Sequence, residues 1–297
     1  IRFFLYKYKI LPRYKSKIPL IIIGNISVGG SGKTPFVIWL ANYLLQKDLS
    51  VGVISSGYKG ASTVPVFVTP KSSPKLVGDE AVLIAKYTNC SVISGGCRVE
   101  ATKFLTDMKS TDVILHDDGL QHYKLERDFE IILINSDKLF GNNLLLPSGP
   151  LREPKSRLND ADIYAYMNSD NDQNYSINSN NTRITNPITA ESRNMKEYSN
   201  KKVHLVTGIA SVDSIIKTLK KHNIGYILHE YNDHHSFDGS EVIFDDDHPI
   251  FITQKDYVKL TEINDKNIWI IEHTIKPNKL FIDKINSELS SLLDYEK

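Results

Sequence analysis

Cysteine is scarce in this chain: Cys90 and Cys97 are the only two among 297 residues, with no Cys-x-x-Cys spacing and no histidine cluster beside them. That excludes a disulfide scaffold and a cysteine-held zinc site, and points to the reduced thiols of a cytoplasmic protein. Long apolar runs are lacking too, so nothing approaches the roughly 20 residues needed to cross a bilayer. No secretory signal pattern is recognisable, although the first residue is Ile1 rather than Met, which leaves room for residues upstream. Net charge is almost nil at +1, which argues against a globally basic nucleic-acid binder. One local absence is informative. The first 17 residues hold no acid but six bases, Arg2, Lys7, Lys9, Arg13, Lys15 and Lys17, interleaved with Phe3, Phe4, Tyr6, Tyr8 and Tyr14. Segment 1–18 therefore suits either a solvated basic arm or a stretch lying on an anionic membrane.

What the chain does have is an apolar strand running straight into a glycine-rich turn, Pro19-Leu-Ile-Ile-Ile-Gly-Asn-Ile-Ser-Val-Gly-Gly-Ser-Gly-Lys-Thr34. Backbone N–H groups over Ser27, Val28, Gly29, Gly30, Ser31 and Gly32 can converge on phosphate oxygens. The Lys33 ammonium can bridge terminal phosphates, and the Thr34 hydroxyl can hold Mg²⁺ at a helix N-terminus. The usual Gly-x-x-x-x-Gly-Lys-Ser/Thr pattern asks for glycine at 27, where this chain has serine.

Around that loop, β-branched runs alternate with helical patterns. Strands are expected over Ile21–Ile23, Val51–Ser55, Ser91–Ser94, Val113–His116 and Phe129–Asn135, and helices over Phe36–Gln46, Asp79–Tyr87 and Val99–Met108. Such alternation predicts an α/β fold, a mostly parallel sheet flanked by helices in the manner of P-loop NTPases, with ligands bound beyond the carboxyl ends of the strands. The core is expected over 19–167. Residues 168–200, rich in Asn and Ser, read as a linker, and 201–297 as a second, smaller α/β domain. That smaller domain is expected to hold strands Val203–Thr207, Tyr226–His229 and Ile250–Thr253, with helices Val212–His222 and Asp283–Leu293.

The strand Val113–His116 runs into Asp117 and Asp118, paired carboxylates suited to Mg²⁺ beside a phosphate loop. Gly119-Leu-Gln121-His122 follows, with groups able to position a nucleotide or an acceptor. Asp79 opens a helix, where a carboxylate serves as a cap as readily as a base. Arg152-Glu153 stands in a turn-rich loop after Pro147-Ser-Gly-Pro150, and Asp233-His234-His235 follows a strand in the second unit. Thr253-Gln-Lys-Asp256 imitates a guanine-reading element, but its lysine is displaced, so GTP specificity is not supported. On these residues alone the chain could be a kinase, a ligase that phosphorylates a carboxylate, or a membrane-peripheral nucleotide switch without lipid kinase activity.

These segments closely resemble the tetraacyldisaccharide 4′-kinase family over nearly the whole chain. The carrying stretches are Gly24–Pro35, Val53-Ile-Ser-Ser-Gly-Tyr58, Gly78-Asp-Glu80, Asp117-Asp-Gly-Leu-Gln-His122, Phe140–Glu153 with Pro154, Asp233-His-His235 and Thr253–Asp256. Ser27 is typical of that family, whereas Ser56 stands where its members usually have arginine. The resemblance implies transfer of the γ-phosphate of ATP to the 4′-hydroxyl of a tetraacyl glucosamine disaccharide 1-phosphate, with Mg²⁺, in lipid A biosynthesis. It implies Lys33 at the phosphates, Thr34, Asp117 and Asp118 at the metal, Asp79 as base and His234 as its partner. Asn25, Arg98, Gln121, His122, Arg152 and Glu153 become candidates for acceptor contact. It further implies an amphiphilic acceptor met at the cytoplasmic face of the inner membrane through the N-terminal region, and a monomer is expected.

Overall fold

Leu20–Gly24 forms β1, buried along its whole length, as an apolar strand in the middle of a parallel sheet must be. The computed structural model describes residues 5–6, 8–30, 32–108, 110–169, 174–260 and 265–294. Ser31 of the glycine loop, and Arg2, Phe3, Phe4 and Lys7 of the basic arm, lie outside the described residues. Two compact units emerge, 1–178 with 275–297, and 179–274.

In the first unit β1 is flanked by β5 (Val113–Asp117) and β6 (Phe129–Asn135), both parallel to it. Beyond β5 lie β2 (Val51–Ser55) and β4 (Ser91–Ser94), again parallel, then β3 (Val66–Val68), which runs antiparallel at the edge. On the other side β6 pairs in parallel with β7 (Ile163–Met167). Helix α1 (Lys33–Leu45) packs on β1, β2 and β5. Two helices follow β3, α2 (Pro74–Val77) and α3 (Asp79–Tyr87), and α4 (Arg98–Asp107) sets Ala101 and Leu105 against Leu20, Ile22, Ile54, Ile93 and Ile114. Because side chains alternate along a strand, Ile21 and Ile23 face the opposite side of the sheet. Both faces of this sheet therefore need apolar side chains, which is why its strands read as unbroken Val/Ile/Leu runs.

The second half of the basic arm is not a free segment. Tyr14 exchanges backbone hydrogen bonds of 2.8 Å with Lys124 and Glu126, and Tyr14 and Ile18 pack on the same core cluster. Earlier in the arm, the Tyr6 ring lies tilted beside Tyr123, centroids 6.3 Å apart, while Tyr8 and Ile10 are exposed.

Two expectations about organisation are corrected. The Asn/Ser-rich stretch 168–200 is not a linker: it carries β8 (Ser176–Thr185) and β9 (Ser192–Asn194), which pair antiparallel. Its strand character comes from backbone pairing, with Ile177, Asn181 and Ile184 buried, the asparagine by hydrogen bonding its amide oxygen to His273 at 2.6 Å. The chain end also departs from 201–297. Helix α7 (Lys279–Asp294) belongs to the first unit, with Phe281 packed edge-on against Phe36 and Trp39 of α1.

In the second unit the order β11 (Gly225–Glu230), β10 (Lys202–Thr207), β12 (Ile250–Thr253), β13 (Ile268–Pro277) is all parallel. Helix α5 (Asp213–Lys221) turns Ile215 and Leu219 into a core with Leu205, Phe251 and Trp269, and leaves its lysines outward. The displaced guanine-like element proves structural. Thr253 caps α6 (Gln254–Tyr257), and the fully buried Asp256 accepts hydrogen bonds from Thr253 Oγ1 at 2.7 Å, Gly208 N at 3.0 Å and Thr207 Oγ1 at 3.2 Å, with Lys259 Nζ 2.7 Å from its other oxygen. Removing that carboxylate strands a buried ammonium and three donors. Asp256→Ala should destabilise this unit by about 3–5 kcal/mol. Of the two tryptophans only Trp269 lies here, so urea unfolding followed by its fluorescence in a Trp39→Phe background is the check; a midpoint unchanged from the parent contradicts the assignment.

Candidate active site

The phosphate loop leaves β1 at Gly24, where a Cβ would come within 2.5 Å of Leu120 Cβ; glycine there lets the turn after β5 close over the strand end. Gly29 and Gly32 take φ of 103° and 72°, the left-handed region that glycine enters without strain. Gly32 is the N-cap of α1, and the first turn of that helix holds neither an acidic residue nor a side-chain cap. Its leading N–H groups and the positive end of its dipole are thus offered to an anion in the loop.

Lys33 and Thr34 are the first two residues of α1 and face the end of β5. Lys33 Nζ donates to Asn25 Oδ1 at 3.1 Å and lies 3.4 Å from Asp118 Oδ1. Thr34 Oγ1 donates to Asp117 Oδ2 at 3.0 Å. Asp117 is the last residue of β5 and almost wholly buried, and its Oδ1 has no hydrogen-bond partner. Burial first, then the charge of Asp118, pushes its carboxyl up to about 7, while Lys33 and the Thr34 hydroxyl pull the other way. Asp118 follows with φ 55°, and Arg152 Nη1 reaches both of its oxygens at 3.2 Å. Burial raises Asp118 as well, but Lys33 and Arg152 outweigh it and hold the carboxyl below its ordinary range. Two adjacent carboxylates thus occupy different environments, one dry and half-satisfied, the other clamped by two cations.

A hydroxyl and an orphaned, buried carboxylate oxygen at the mouth of an anion cradle form a set of hard oxygen donors. That set fits Mg²⁺, whose affinity is for such oxygens and for phosphate. Thr34 and Asp117 are the residues that would hold it, with Asp118 next to them.

Arg152 reaches Asp118 because its loop is laced to the phosphate loop. Val28 N donates to Pro150 O at 2.8 Å, Arg152 N donates to Ile26 O at 2.7 Å, and Ser27 bridges Leu151. Glu153, expected at the acceptor, is instead turned inward and buried. It accepts from Gln121 Nε2 at 2.7 Å and from the Tyr123 hydroxyl, and lies 3.2 Å from Arg157 Nε. Burial and the Glu153 charge push the Tyr123 phenol upward, so it stays a donor. Arg157 in turn pairs with buried Glu130, which Arg127 also reaches at 3.1 Å. Glu153 therefore holds the floor under Arg152 and Gln121 rather than touching an acceptor. The acid in the apolar run Phe129-Glu-Ile-Ile-Leu was the available sign of this buried network, and it was missed at the sequence level.

Other expected residues fall out as follows. Gln121 bridges Asn25 O, at 3.2 Å, and Glu153, and accepts from Arg152 Nη1 at 3.4 Å. His122 stacks on His116, centroids 5.2 Å apart, and burial followed by the charges of His122 and Arg98 drives the His116 imidazole well below its usual range. Arg98 opens α4 and donates to Gly96 O at 2.7 Å and Ser56 O at 2.6 Å. The Ser56 loop thus carries a guanidinium after all, supplied from α4, and Lys59 lies over the Tyr58 ring instead. Asp79 is not a cap: Gly78, with φ 87°, holds the N-cap of α3, and Asp79 is its first helical residue, buried, accepting from Glu80 N at 3.1 Å. The neighbouring Glu80 is close enough to Asp117 to raise that carboxyl.

In the second unit His234 takes a positive φ of 63°, and its Nε2 lies 3.6 Å from Asp233, which is itself 3.3 Å from Lys255 Nζ. His235 is committed elsewhere, to Glu241 at 2.8 Å and to the face of Tyr231.

The family model described as LpxK, tetraacyldisaccharide-1-P 4′-kinase, matches residues 1–290. Proteins named tetraacyldisaccharide 4′-kinase are similar over most of their length. That of Coxiella burnetii (strain RSA 331) is 42% identical over 256 residues, 86% of this chain and 76% of the relative. That of Pasteurella multocida is 39% identical over 286 residues, 94% and 87% of the two chains. Among solved structures, LpxK from Aquifex aeolicus in complex with ATP aligns with a TM-score of 0.83 at 27% identity, covering 98% of this chain and 94% of that one. With a phosphate loop, a threonine–carboxylate pair and a clamped second carboxylate in place, the chain belongs to the tetraacyldisaccharide-1-phosphate 4′-kinase family.

Proposed function

We propose that this protein transfers the γ-phosphate of ATP to the 4′-hydroxyl of a tetraacyl glucosamine disaccharide 1-phosphate. The observation that carries the reading is the convergence of Lys33, Thr34, Asp117, Asp118 and Arg152 at the carboxyl ends of β1 and β5, in a chain matched to the kinase family over residues 1–290. Phosphoryl transfer asks little covalent chemistry of a protein and much positioning and charge neutralisation. Lys33 exchanges its carboxylate partner for phosphate oxygens, and the N–H groups of the loop and of α1 bind the same anion. Mg²⁺ held by Thr34 and Asp117 supplies charge neutralisation across the phosphates when bound. Asp118 orients Lys33 and Arg152, which are both cations within reach of a migrating phosphoryl group. Arg98 and Gln121 are assigned to the acceptor side. Asp79 takes the proton of the attacking sugar hydroxyl, with His234 supporting it.

The acceptor is amphiphilic, and each acyl CH₂ exposed to water costs about 0.8 kcal/mol, so the reaction belongs at a membrane surface. No helix among the described residues is long and apolar enough to cross a membrane. The basic, aromatic arm with exposed Tyr8 and Ile10 suits a peripheral attachment at the cytoplasmic face of the inner membrane, where ATP is available.

Incubation with MgATP, with and without the disaccharide 1-phosphate in detergent, should yield a bisphosphorylated lipid only when the acceptor is present; ATP binding without acceptor-dependent product would favour a nucleotide switch. Lys33→Ala and Asp118→Ala should each lower kcat/KM by about 10²-fold or more, since each removes charge placed for the transition state. Near-normal turnover by either variant rules the assignment out. Asp79→Asn should cut kcat by about 10²- to 10⁴-fold while leaving ATP affinity close to that of the parent. A parallel loss of both, read by calorimetric titration beside initial rates, would instead make Asp79 a structural residue of α3.

A further inference from the structure

The loop that brings Arg152 to the site carries an unusual surface. Leu139 is 48% exposed, Leu144 51%, Leu145 47% and Leu146 52%, the last three consecutive in sequence. Water-facing loops are normally polar, and a run of three exposed leucines is costly unless something covers it. Slack in the loop does not account for the exposure. Leu146 N donates to Leu151 O at 2.8 Å, Leu151 N to Leu144 O at 3.1 Å, Gly149 N to Leu145 O at 3.1 Å, and Asn142 ties both Leu144 N and Ser148 O. A Cβ on Gly149 would meet Asn142 Oδ1 at 2.2 Å and Leu144 O at 2.4 Å, so glycine is what allows the loop to close this tightly. The leucines are held out on a preformed tip.

We propose that this leucine tip inserts into the bilayer surface, as a second membrane contact besides the N-terminal arm, and so docks the phosphate loop against the membrane. Charge supports a lipid occupant. No acidic residue stands between Asp137 and Glu153, Glu153 is buried against Arg157, and the exposed Lys138 and Lys155 flank the tip, the latter 4.5 Å from the Phe140 ring centroid. An acid-free apolar tip with an exposed lysine on either flank matches hydrocarbon beneath anionic headgroups. The tip is continuous with the catalytic machinery, because the same loop donates and accepts the backbone hydrogen bonds that join it to Ile26 and Val28. The inference rests on the proposal of an acylated acceptor, which gives the site a reason to sit at lipid.

The test uses the full chain and vesicles of phosphatidylethanolamine with phosphatidylglycerol. Leu144→Ser, Leu145→Ser and Leu146→Ser combined should lower the partition coefficient by about tenfold or more, as loss of three buried leucine side chains requires, while Ile243→Ser, at an exposed aliphatic of the other unit, should not. An equal partition of parent and triple variant overturns the proposal. In a second measurement, independent of whether the triple variant folds, Leu145→Cys in a Cys90→Ser, Cys97→Ser background carries an environment-sensitive fluorophore. Its emission should shift to the blue when vesicles bind; bound protein with water-like emission at this position also overturns the proposal. Phosphate transfer to the acceptor in detergent is scored separately. Absence of transfer with a blue-shifted tip would sink the kinase reading alone, and transfer with an unshifted tip would sink the membrane tip alone.

Discussion

The site depends on keeping two neighbouring carboxylates at the end of one buried strand. Asp117 continues β5 into the core, where water cannot solvate it, and Asp118 turns out of the strand with a left-handed backbone. Side by side, both carboxylates would resist ionisation unless positive charge were brought to them. Lys33 from α1 and Arg152 from a loop distant in sequence supply it to Asp118, and Thr34 supplies a hydroxyl to Asp117. The same groups that relieve this strain are the ones a nucleotide and a divalent cation need. Assembling the cradle and stabilising the fold are therefore one requirement here, and the glycines serve it in two ways, Gly24 by letting the turn after β5 close against it, Gly29 and Gly32 by taking left-handed φ.

Behind Arg152 lies a chain of buried charges that alternates in sign, Glu153, Arg157, Glu130 and Arg127. Each would be expensive alone and each is paired on at least one side. An alternating row of this kind gains little net stability over an apolar core of the same volume, so its benefit lies in geometry. It ties the loop ending at Arg157 to β6, and β6 is the parallel neighbour of β1, from which the phosphate loop departs. Arg152 is thereby referenced to the same strand that sets Lys33.

Much of this was legible from the chain itself. The unbroken apolar runs at 20–23, 51–54 and 113–115 announce parallel strands because burial on both faces leaves no room for polar alternation. Lys33 and Thr34 follow from the loop pattern, and Asp117 and Asp118 from carboxylates at a strand end. What could not be read is what depends on long-range partners. The strand over 176–185 is built largely of Ser, Asn and Thr, residues whose local chemistry favours turns, and pairing with the 163–167 and 192–194 strands together with burial of Ile177 and Ile184 overrides it. The helix over 279–294 joins the first unit through Phe281, a contact invisible without knowing where Trp39 points. Glu153 looked like a surface charge beside Arg152 and is instead the buried acceptor of Gln121 and Tyr123.

The loop from Leu139 to Arg152 joins three of these themes. Its backbone is knitted to the phosphate loop, its last residue neutralises Asp118, and its tip exposes leucine where a globular protein has no use for it. A kinase whose acceptor has acyl chains anchored in lipid faces a geometric problem: the sugar hydroxyl sits at headgroup depth, so the γ-phosphate must be brought to that depth rather than the acceptor drawn out. Rigid coupling between an apolar tip and the phosphate cradle solves it without a moving part, because the distance from the tip to Lys33 is set by hydrogen bonds within one unit. A single contact at the N-terminus keeps the protein near the membrane without fixing which way the site faces it. Orientation requires a second, stiff point of contact, and the loop that carries Arg152 is stiff in the place where that contact is needed.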